Sequence, residues 1–531
     1  MDYPYIKSNS AYVTNSVGRK EDRDGVSEVQ SRAKNEAAAF CNWAGNQRAN
    51  PAQIFHPKTV NDLIEIVHKA KAESMKIRCM ATGHTWSSSS VVNDDGFLVV
   101  VKNMDKIFKP VNVEDDVWHV EIETGVTVKN LDDYLRKHNP PLAMACNVGA
   151  ECIRYGGILS MGSHGAATHT RSLTDLVATV KIIDASGTMN TFSKESDPVE
   201  FSAAALNLGL FGIIYTYTLH VEPMFKLHMR DTFPPLHYYF GSPQIGGPRL
   251  KAMVLGNDQT QLFYWPLHTS DRRKHERVWV KEWHRTDLPV TKSHRRVRFQ
   301  RLIETIKTAT NNKFVKVMAK FPQLTPMISP YLCACVNKKA DQVLHAPNAI
   351  HFWGGMEHVP SMALEMAVKA DENFENVVKS WNYVIGQVHE LAQRKEFPLN
   401  LMLEMRFLKA SQMIMSNMYD EDPDAIFATM ELVSAANTKG FEEFSAKMAQ
   451  YWMKNYHSQP HWAKMWEHVP GIVPYLQQQT GDRYNKFEEI RKNTGSDLEA
   501  FSHNPTDDSF GPLPAQAGPN TNYPNERLLS Y

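Results

Sequence analysis

No stretch of this 531-residue chain approaches the ~20 consecutive apolar residues that a membrane-spanning helix needs. Charge of one sign is lacking too. Its 58 Lys and Arg balance 58 Asp and Glu, which excludes the strongly basic balance of a general nucleic-acid binder. Cysteine is sparse: Cys41, Cys79, Cys146, Cys152, Cys333 and Cys335 show no paired zinc spacing and read as reduced thiols. Cys333-Ala334-Cys335 reads as a strand with two small buried side chains. No metal site is expected: His457 and His461 are interrupted by Pro460 and lack a third ligand, and His164 and His169 share no helix face. The polar segment Met1–Asn50 has no apolar core for a signal peptide, and neither end carries a sorting signal. Together these point to an intracellular protein, cytoplasmic or peripherally attached to a membrane.

The length implies two or three domains. Residues 1–40 read as a polar extension, 41–225 as a first α+β domain and 226–470 as a second. Residues 471–505 read as a segment packing back on the core, and 506–531 as an irregular tail. In the first domain, Thr59 is placed to cap a helix through Val60, Leu63, Ile64 and Val67. Strands are expected at Met75–Met80, Phe97–Val101 and Trp118–Glu123, with a helix from Val128 to Asn139. A hairpin is expected around Ala185-Ser186-Gly187. In the second domain, Ala363–Arg394 and Asp424–Lys454 read as long helices and Leu399–Glu404 as a strand. Met413–Met418 reads as core filling. Residues 271–301 hold eleven Lys/Arg against four Asp/Glu: a solvated face, with an anionic membrane surface as the alternative.

Two loops carry the chemistry. Arg78…Thr82-Gly83-His84-Thr85-Trp86-Ser87 follows a buried strand, with a glycine ahead of the histidine and hydroxyl residues behind it. Such a loop suits a phosphate-bearing cofactor approached by backbone N–H groups. Tyr155-Gly156-Gly157-Ile158-Leu159-Ser160-Met161-Gly162-Ser163-His164-Gly165 offers the same close approach, yet contains neither the phosphate-loop nor the dinucleotide glycine pattern. Further along, Glu404 and Arg406 share one face of a strand, as a surface ion pair or as a grip on a substrate oxygen. His461-Trp462-Ala463-Lys464 opens a new element after Pro460.

With both loops, Leu208-Gly209-Leu210-Phe211-Gly212-Ile213-Ile214, Glu404-Met405-Arg406 and His461–Lys464 in this order, the chain resembles the vanillyl-alcohol-oxidase-type (PCMH-type) FAD family, in its sugar-lactone oxidase branch. The resemblance runs from about Asn42 to about Asn504. It implies a two-part FAD-binding domain followed by an α+β substrate (cap) domain, with the C-terminal segment returning to the active site. FAD would be held by Thr82, Gly83, Thr85, Ser87, Gly149, Gly157, Ser160, Gly162, Ser163, His164, Gly212, Ile213 and Ile214, and bonded at its 8-methyl carbon to a ring nitrogen of His84. The family usually has Ser where Thr85 stands and often Gly where Thr82 stands; both changes keep a small residue. Gly149 implies access for O₂ to the flavin, and hence an oxidase releasing H₂O₂. Arg406 and Lys464 would bind the reacting oxygen, Glu404 would hold Arg406, and His461 would be structural or position Lys464. The proton acceptor is open among a water, His461 and a lysine of lowered pKa. An aldono-1,4-lactone is the implied substrate, with ascorbate-type chemistry. The alternatives are an alditol or other carbohydrate oxidase on the same fold, a flavin dehydrogenase with another acceptor, and a flavin-free binding protein.

Overall fold

Thr59 begins the first helix with a closed capping box. Its hydroxyl accepts from the Asp62 N–H, and the Asp62 carboxylate accepts from the Thr59 N–H, ahead of the helix Val60–Ala72. The computed structural model describes residues 40–266, 276–336, 340–351, 358–494 and 500–502. The extension before residue 40, positions 271–275 of the basic stretch, and the tail from 503 lie outside the described residues.

A short ribbon of β1 (Phe40–Cys41) and β2 (Arg48–Ala49) leads into a parallel sheet. The sheet holds β3 (Gln53–Phe55), β4 (Lys76–Met80) and β5 (Gly96–Val100), in the order β3-β5-β4. Leu63, Ile66 and Val67 of the first helix pack on Phe55, Ile77, Phe97 and Val99 of this sheet.

A second sheet follows: β6 (Val111–Glu114), β7 (Val117–Glu123), β8 (Leu142–Ala143), β9 (Val177–Ile183), β10 (Met189–Ser193) and β11 (Ile213–Pro223). Its order is β10-β9-β11-β7-β6, with β8 beside β11. The expected hairpin is present as β9–β10, whose turn glycine, Gly187, has φ +85°. The helix starting at Val128 stops at Leu135, short of Asn139.

The third sheet has eight strands, all paired antiparallel: β12 (Lys226–Thr232), β13 (Gln259–Tyr264), β14 (Trp279–Arg285), β15 (Asp341–His345), β16 (Ser361–Lys369), β17 (Met402–Lys409), β18 (Ile426–Ala435) and β19 (Gln459–Pro460). They run β15-β12-β14-β13-β17-β18-β16-β19. One continuous apolar core joins the second and third sheets, and Met413 and Met415 fill part of it.

The long helices expected at 363–394 and 424–454 each divide into a strand and a helix. β16 precedes Glu375–Gln393, and β18 precedes Phe441–Tyr456. Both strands are buried on both faces, so their apolar runs lack the alternation that distinguishes strand from helix. Asp371 makes the first break, its carboxylate accepting from the N–H groups of Glu375 and Asn376. Cys333 and Cys335 lie in the helix Thr325–Val336 rather than in a strand; three residues are too few to show a period. The strand expected from Leu399 begins at Met402, because the Asn400 side chain is committed to Thr438 and to the Ala435 N–H.

The last helix, Ile472–Asn493, packs back on Pro198–Ala205, and Arg491 Nε donates to the Leu210 carbonyl at 2.9 Å. Ala500 accepts from the Ile77 N–H beside β4. The buried Arg78 guanidinium donates to the carbonyls of Ser89, Leu208, Gly209 and Phe501, joining four distant points of the chain. The chain is thus a mixed helix-and-sheet protein in two parts, with its C-terminal segment returning to the first.

Candidate active site

A cavity of about 840 Å³ lies between the two glycine-bearing loops and the third sheet. The first loop leaves the end of β4 and is pinned from several sides. Asn42 Nδ2 donates to the Thr85 carbonyl (2.8 Å), the Trp43 N–H to Gly83 (2.8 Å), and the Trp86 N–H to Ala463 (2.8 Å). His84 projects into the cavity with its ring stacked on Trp43 at 4.9 Å. Both of its ring nitrogens are buried without a hydrogen-bond partner. Burial, helped by the Arg154 charge, pulls its pKa down to about 4, so the imidazole is neutral at pH 7. A buried, neutral, unpartnered imidazole is costly unless something else engages it.

The second loop enters through the short helix Tyr155–Ser160. Gly149 and Gly157 line the cavity, and a Cβ built on either meets nothing within 4 Å. Thr82, Gly83, Thr85, Ser160, Ser163, His164, Gly212 and Ile214 line it as well. Ser87, Gly162 and Ile213 do not. Ser87 bonds within its own loop to Thr85 (3.0 Å), Gly162 makes a turn at φ +69° against Leu206, and Ile213 packs beneath the first sheet. Open space over the glycines, the orphaned imidazole and the hydroxyl-rich first loop all fit FAD.

The opposite wall is a row of charge on the third sheet. Glu404 on β17 stands directly across from Glu431 on β18, which stands across from Glu365 on β16. Arg406, two residues along β17, faces the same way and meets all three. Its Nε lies 2.8 Å from Glu404, and its Nη2 reaches Glu431 and, at 3.4 Å, Glu365. Lys464 Nζ lies 2.5 Å from Glu431 and 4.1 Å from the centre of the Trp86 ring. His164 Nε2 is 2.5 Å from Glu365, and its ring is 5.5 Å from that of His461. Glu404 also accepts from Gln261 on β13.

These groups differ sharply in proton affinity. Burial disfavours the Glu365 carboxylate, but the His164 and Arg406 charges overcome that and hold its pKa well below the usual range. Burial pushes Glu404 up to about 7, against the pull of Arg406 and with repulsion from Glu431. Burial takes His461 down to about 3, and His461 Nδ1 accepts from the Ala463 N–H (3.1 Å). Farther along the sheet, Lys281 on β14 lies across from Gln261 and pairs with Asp231 on β12 at 2.7 Å, its amine near two indoles, Trp279 and Trp283.

Sequence reasoning singled out Glu404, Arg406, Lys464, His461 and His84, and all five line one cavity. It missed Glu365, Glu431, Gln261, Lys281 and Trp43. A signal for two of them existed: Leu364-Glu365-Met366 and Met430-Glu431-Leu432 each set a lone carboxylate in an apolar run. Among the described residues no group of three or more His, Cys, Asp or Glu could hold a metal ion.

Two family descriptions match successive parts of the chain. Residues 51–193 match the family described as FAD binding domain, and residues 249–497 match the family described as D-arabinono-1,4-lactone oxidase. An L-gulono-1,4-lactone dehydrogenase of Mycobacterium tuberculosis is 21% identical over 80% of this chain and 89% of its own length. The L-gulonolactone oxidase of Bos taurus is 30% identical, over 37% of this chain and 42% of that protein. In fold, the chain is similar to a cholesterol oxidase from B. sterolicum, with a TM-score of 0.76 and 17% identity, covering 94% of this chain and 100% of that one. Two family matches in the order of the two halves, with lactone-acting relatives across them, establish that this chain belongs to the PCMH-type FAD family, in its sugar-lactone oxidase branch.

Proposed function

We propose that this FAD-linked lactone oxidoreductase oxidises a carbinol carbon of an aldono-1,4-lactone, with His84 as the covalent tether of FAD and O₂ as the electron acceptor. The observation that carries the reading is one cavity walled on one side by an orphaned imidazole in a hydroxyl-rich loop and on the other by Arg406 and Lys464. FAD, when bound, supplies the two-electron acceptor.

The chain's own residues bind the substrate and manage charge. Arg406 and Lys464 bind the oxygen of the reacting carbinol and stabilise the negative charge that develops as its proton leaves. Glu365, Glu404 and Glu431 fix both cations in place. Glu404, with a pKa near 7, is the group matched to accept the hydroxyl proton. His461, at about 3, is too weak a base for that task and serves to shape the Ala463–Lys464 turn. Thr82, Gly83, Thr85, Gly157, Ser160, Ser163, His164, Gly212 and Ile214 wall the cofactor side. Ser87, Gly162 and Ile213 act behind that wall, by holding loop shape.

A second reading, a dehydrogenase with another acceptor, is favoured by the name of the mycobacterial relative. Gly149, which leaves open space in the cavity, favours O₂.

Purified protein assayed with a panel of aldonolactones and alditols should release peroxide with the lactones. Fast dye reduction without peroxide would select the dehydrogenase; peroxide with alditols alone would select the polyol oxidase. Acid precipitation should carry yellow flavin into the pellet, and His84→Ala should release it. Flavin that stays with the His84→Ala pellet would place the tether elsewhere.

A further inference from the structure

Large apolar side chains that face water are concentrated on one helix pair. Of nineteen among the described residues, nine lie from Phe299 to Tyr331, on or between the helices His294–Lys320 and Thr325–Val336. On the longer helix, Phe299, Leu302, Ile303, Ile306, Phe314 and Val317 fall within a sector of about 120° at 3.6 residues per turn. Phe299 is 63% and Ile306 60% exposed. The opposite sector, with Val297, Arg301, Val315 and Met318, is the buried one. A helix laid on a globular core ordinarily turns its apolar stripe inward. This one has a second stripe facing out, and the Phe314 ring meets Tyr331 of the next helix at 5.4 Å, widening it.

Charge accompanies the stripe. Arg295, Arg296, Lys307, Lys313, Lys316 and Lys320 share the helix, with Arg298 turned to Glu151 and Glu304 its one acidic residue. We propose that this face docks on a lipid bilayer carrying anionic headgroups. The apolar stripe enters the boundary between headgroups and acyl chains, and the flanking cations meet the phosphates. The charge selects lipid over a second copy of the chain, because a two-fold contact sets the same patch against itself and brings the two cationic rows together. Among the described residues no helix is long and apolar enough to cross a membrane, so the helix lies in the plane of the surface. Its inner face, through Arg301, Glu304, Thr308 and Val315, lines the cavity. Docking therefore sets that wall about one helix diameter, ~10 Å, from the headgroups.

Flotation of the purified holoprotein with phosphatidylcholine vesicles, with and without phosphatidylserine, tests this. The protein should float with the anionic vesicles, far less with the neutral ones, and should be released by high salt. Paired Phe299→Asp and Ile306→Asp substitutions, both at water-facing positions, should leave the thermal midpoint unchanged and weaken vesicle binding at least about tenfold. Arg295→Glu with Lys313→Glu should abolish the preference for anionic lipid. A protein that ignores all vesicles overturns the proposal, as does an aspartate variant that binds as well as the parent. So does a lipid-free dimer that those aspartates dissociate while vesicle binding persists.

Discussion

Glu431 is the residue on which both active-site cations converge, and Glu431→Gln tests the charge row without reference to any substrate. The substitution keeps the shape and one hydrogen-bond acceptor but removes the charge. Arg406 retains Glu404 at 2.8 Å and Glu365 at 3.4 Å. Lys464 loses the carboxylate at 2.5 Å and keeps the Trp86 ring. Removing one partner of a buried ion pair costs ~3–5 kcal/mol. The Lys464 side chain keeps 13% of its exposure, so water recovers part of the loss, and about 2–4 kcal/mol is expected. Lys464→Met in the same background removes the stranded ammonium, so the double variant should be more stable than the sum of the singles by about 1–3 kcal/mol. Chemical denaturation of the four proteins of this cycle, followed by tryptophan fluorescence, measures both quantities. With Lys464 no longer held, kcat/KM for the lactone should also fall by roughly one to two orders of magnitude, ~1.4 kcal/mol for each tenfold. An Glu431→Gln change within ~0.5 kcal/mol of the parent, or strict additivity in the cycle, would refute the view that these charges act as one network.

Gly149→Ala should fold as the parent does, within ~0.5 kcal/mol, because the added Cβ meets nothing within 4 Å. If Gly149 leaves O₂ its path, stopped-flow reoxidation should slow at least about tenfold while dye reduction is unchanged. Gly212→Ala is the opposite case: at φ +141° its Cβ would stand 2.2 Å from the Ile183 carbonyl oxygen, and a loss above ~2 kcal/mol should appear in the same denaturation assay. For Glu404, raised to about 7, kcat/KM should climb with pH through about 7 as the carboxyl ionises, and Glu404→Gln should abolish that limb; a flat profile in the parent would exclude Glu404 as the base. The sign for stability is the reverse: a raised carboxyl favours the folded state at low pH and loses that advantage between the ordinary carboxylate range and about 7, so Glu404→Gln should gain on the parent between pH 5 and pH 8.

The loops were legible because their chemistry is local. Gly83-His84-Thr85 needs one tight turn after a strand, and the strand's apolar run and the glycine both show in the string. The Thr59 cap was legible for the same reason, since a capping box spans four residues. β16 and β18 were not, and a wrong period there hid more than an element. Read as helices, Ala363–Arg394 and Asp424–Lys454 scatter Glu365 and Glu431 around a cylinder. Read as strands buried on both faces, they set each carboxylate at one register position beside Glu404.

That register explains why Glu404 and Glu365 part company in proton affinity. Three carboxylates share the row with Arg406, Lys464 and His164, and these partners are spread unevenly along it. His164 stands at the Glu365 end, 2.5 Å away, and holds that carboxylate ionised. Glu431 is held between Arg406 and Lys464. Glu404, at the other end, is buried with the neutral amide of Gln261 as its further neighbour, so burial, joined by repulsion from Glu431, outweighs the pull of Arg406 and raises its pKa to about 7. Under the proposed function, a carboxyl that exchanges a proton near pH 7 beside two cations is the arrangement that removal of a carbinol proton requires. Glu-x-Arg alone could not reveal this, because the burial comes from the packed sheet and the repulsion from two glutamates on neighbouring strands.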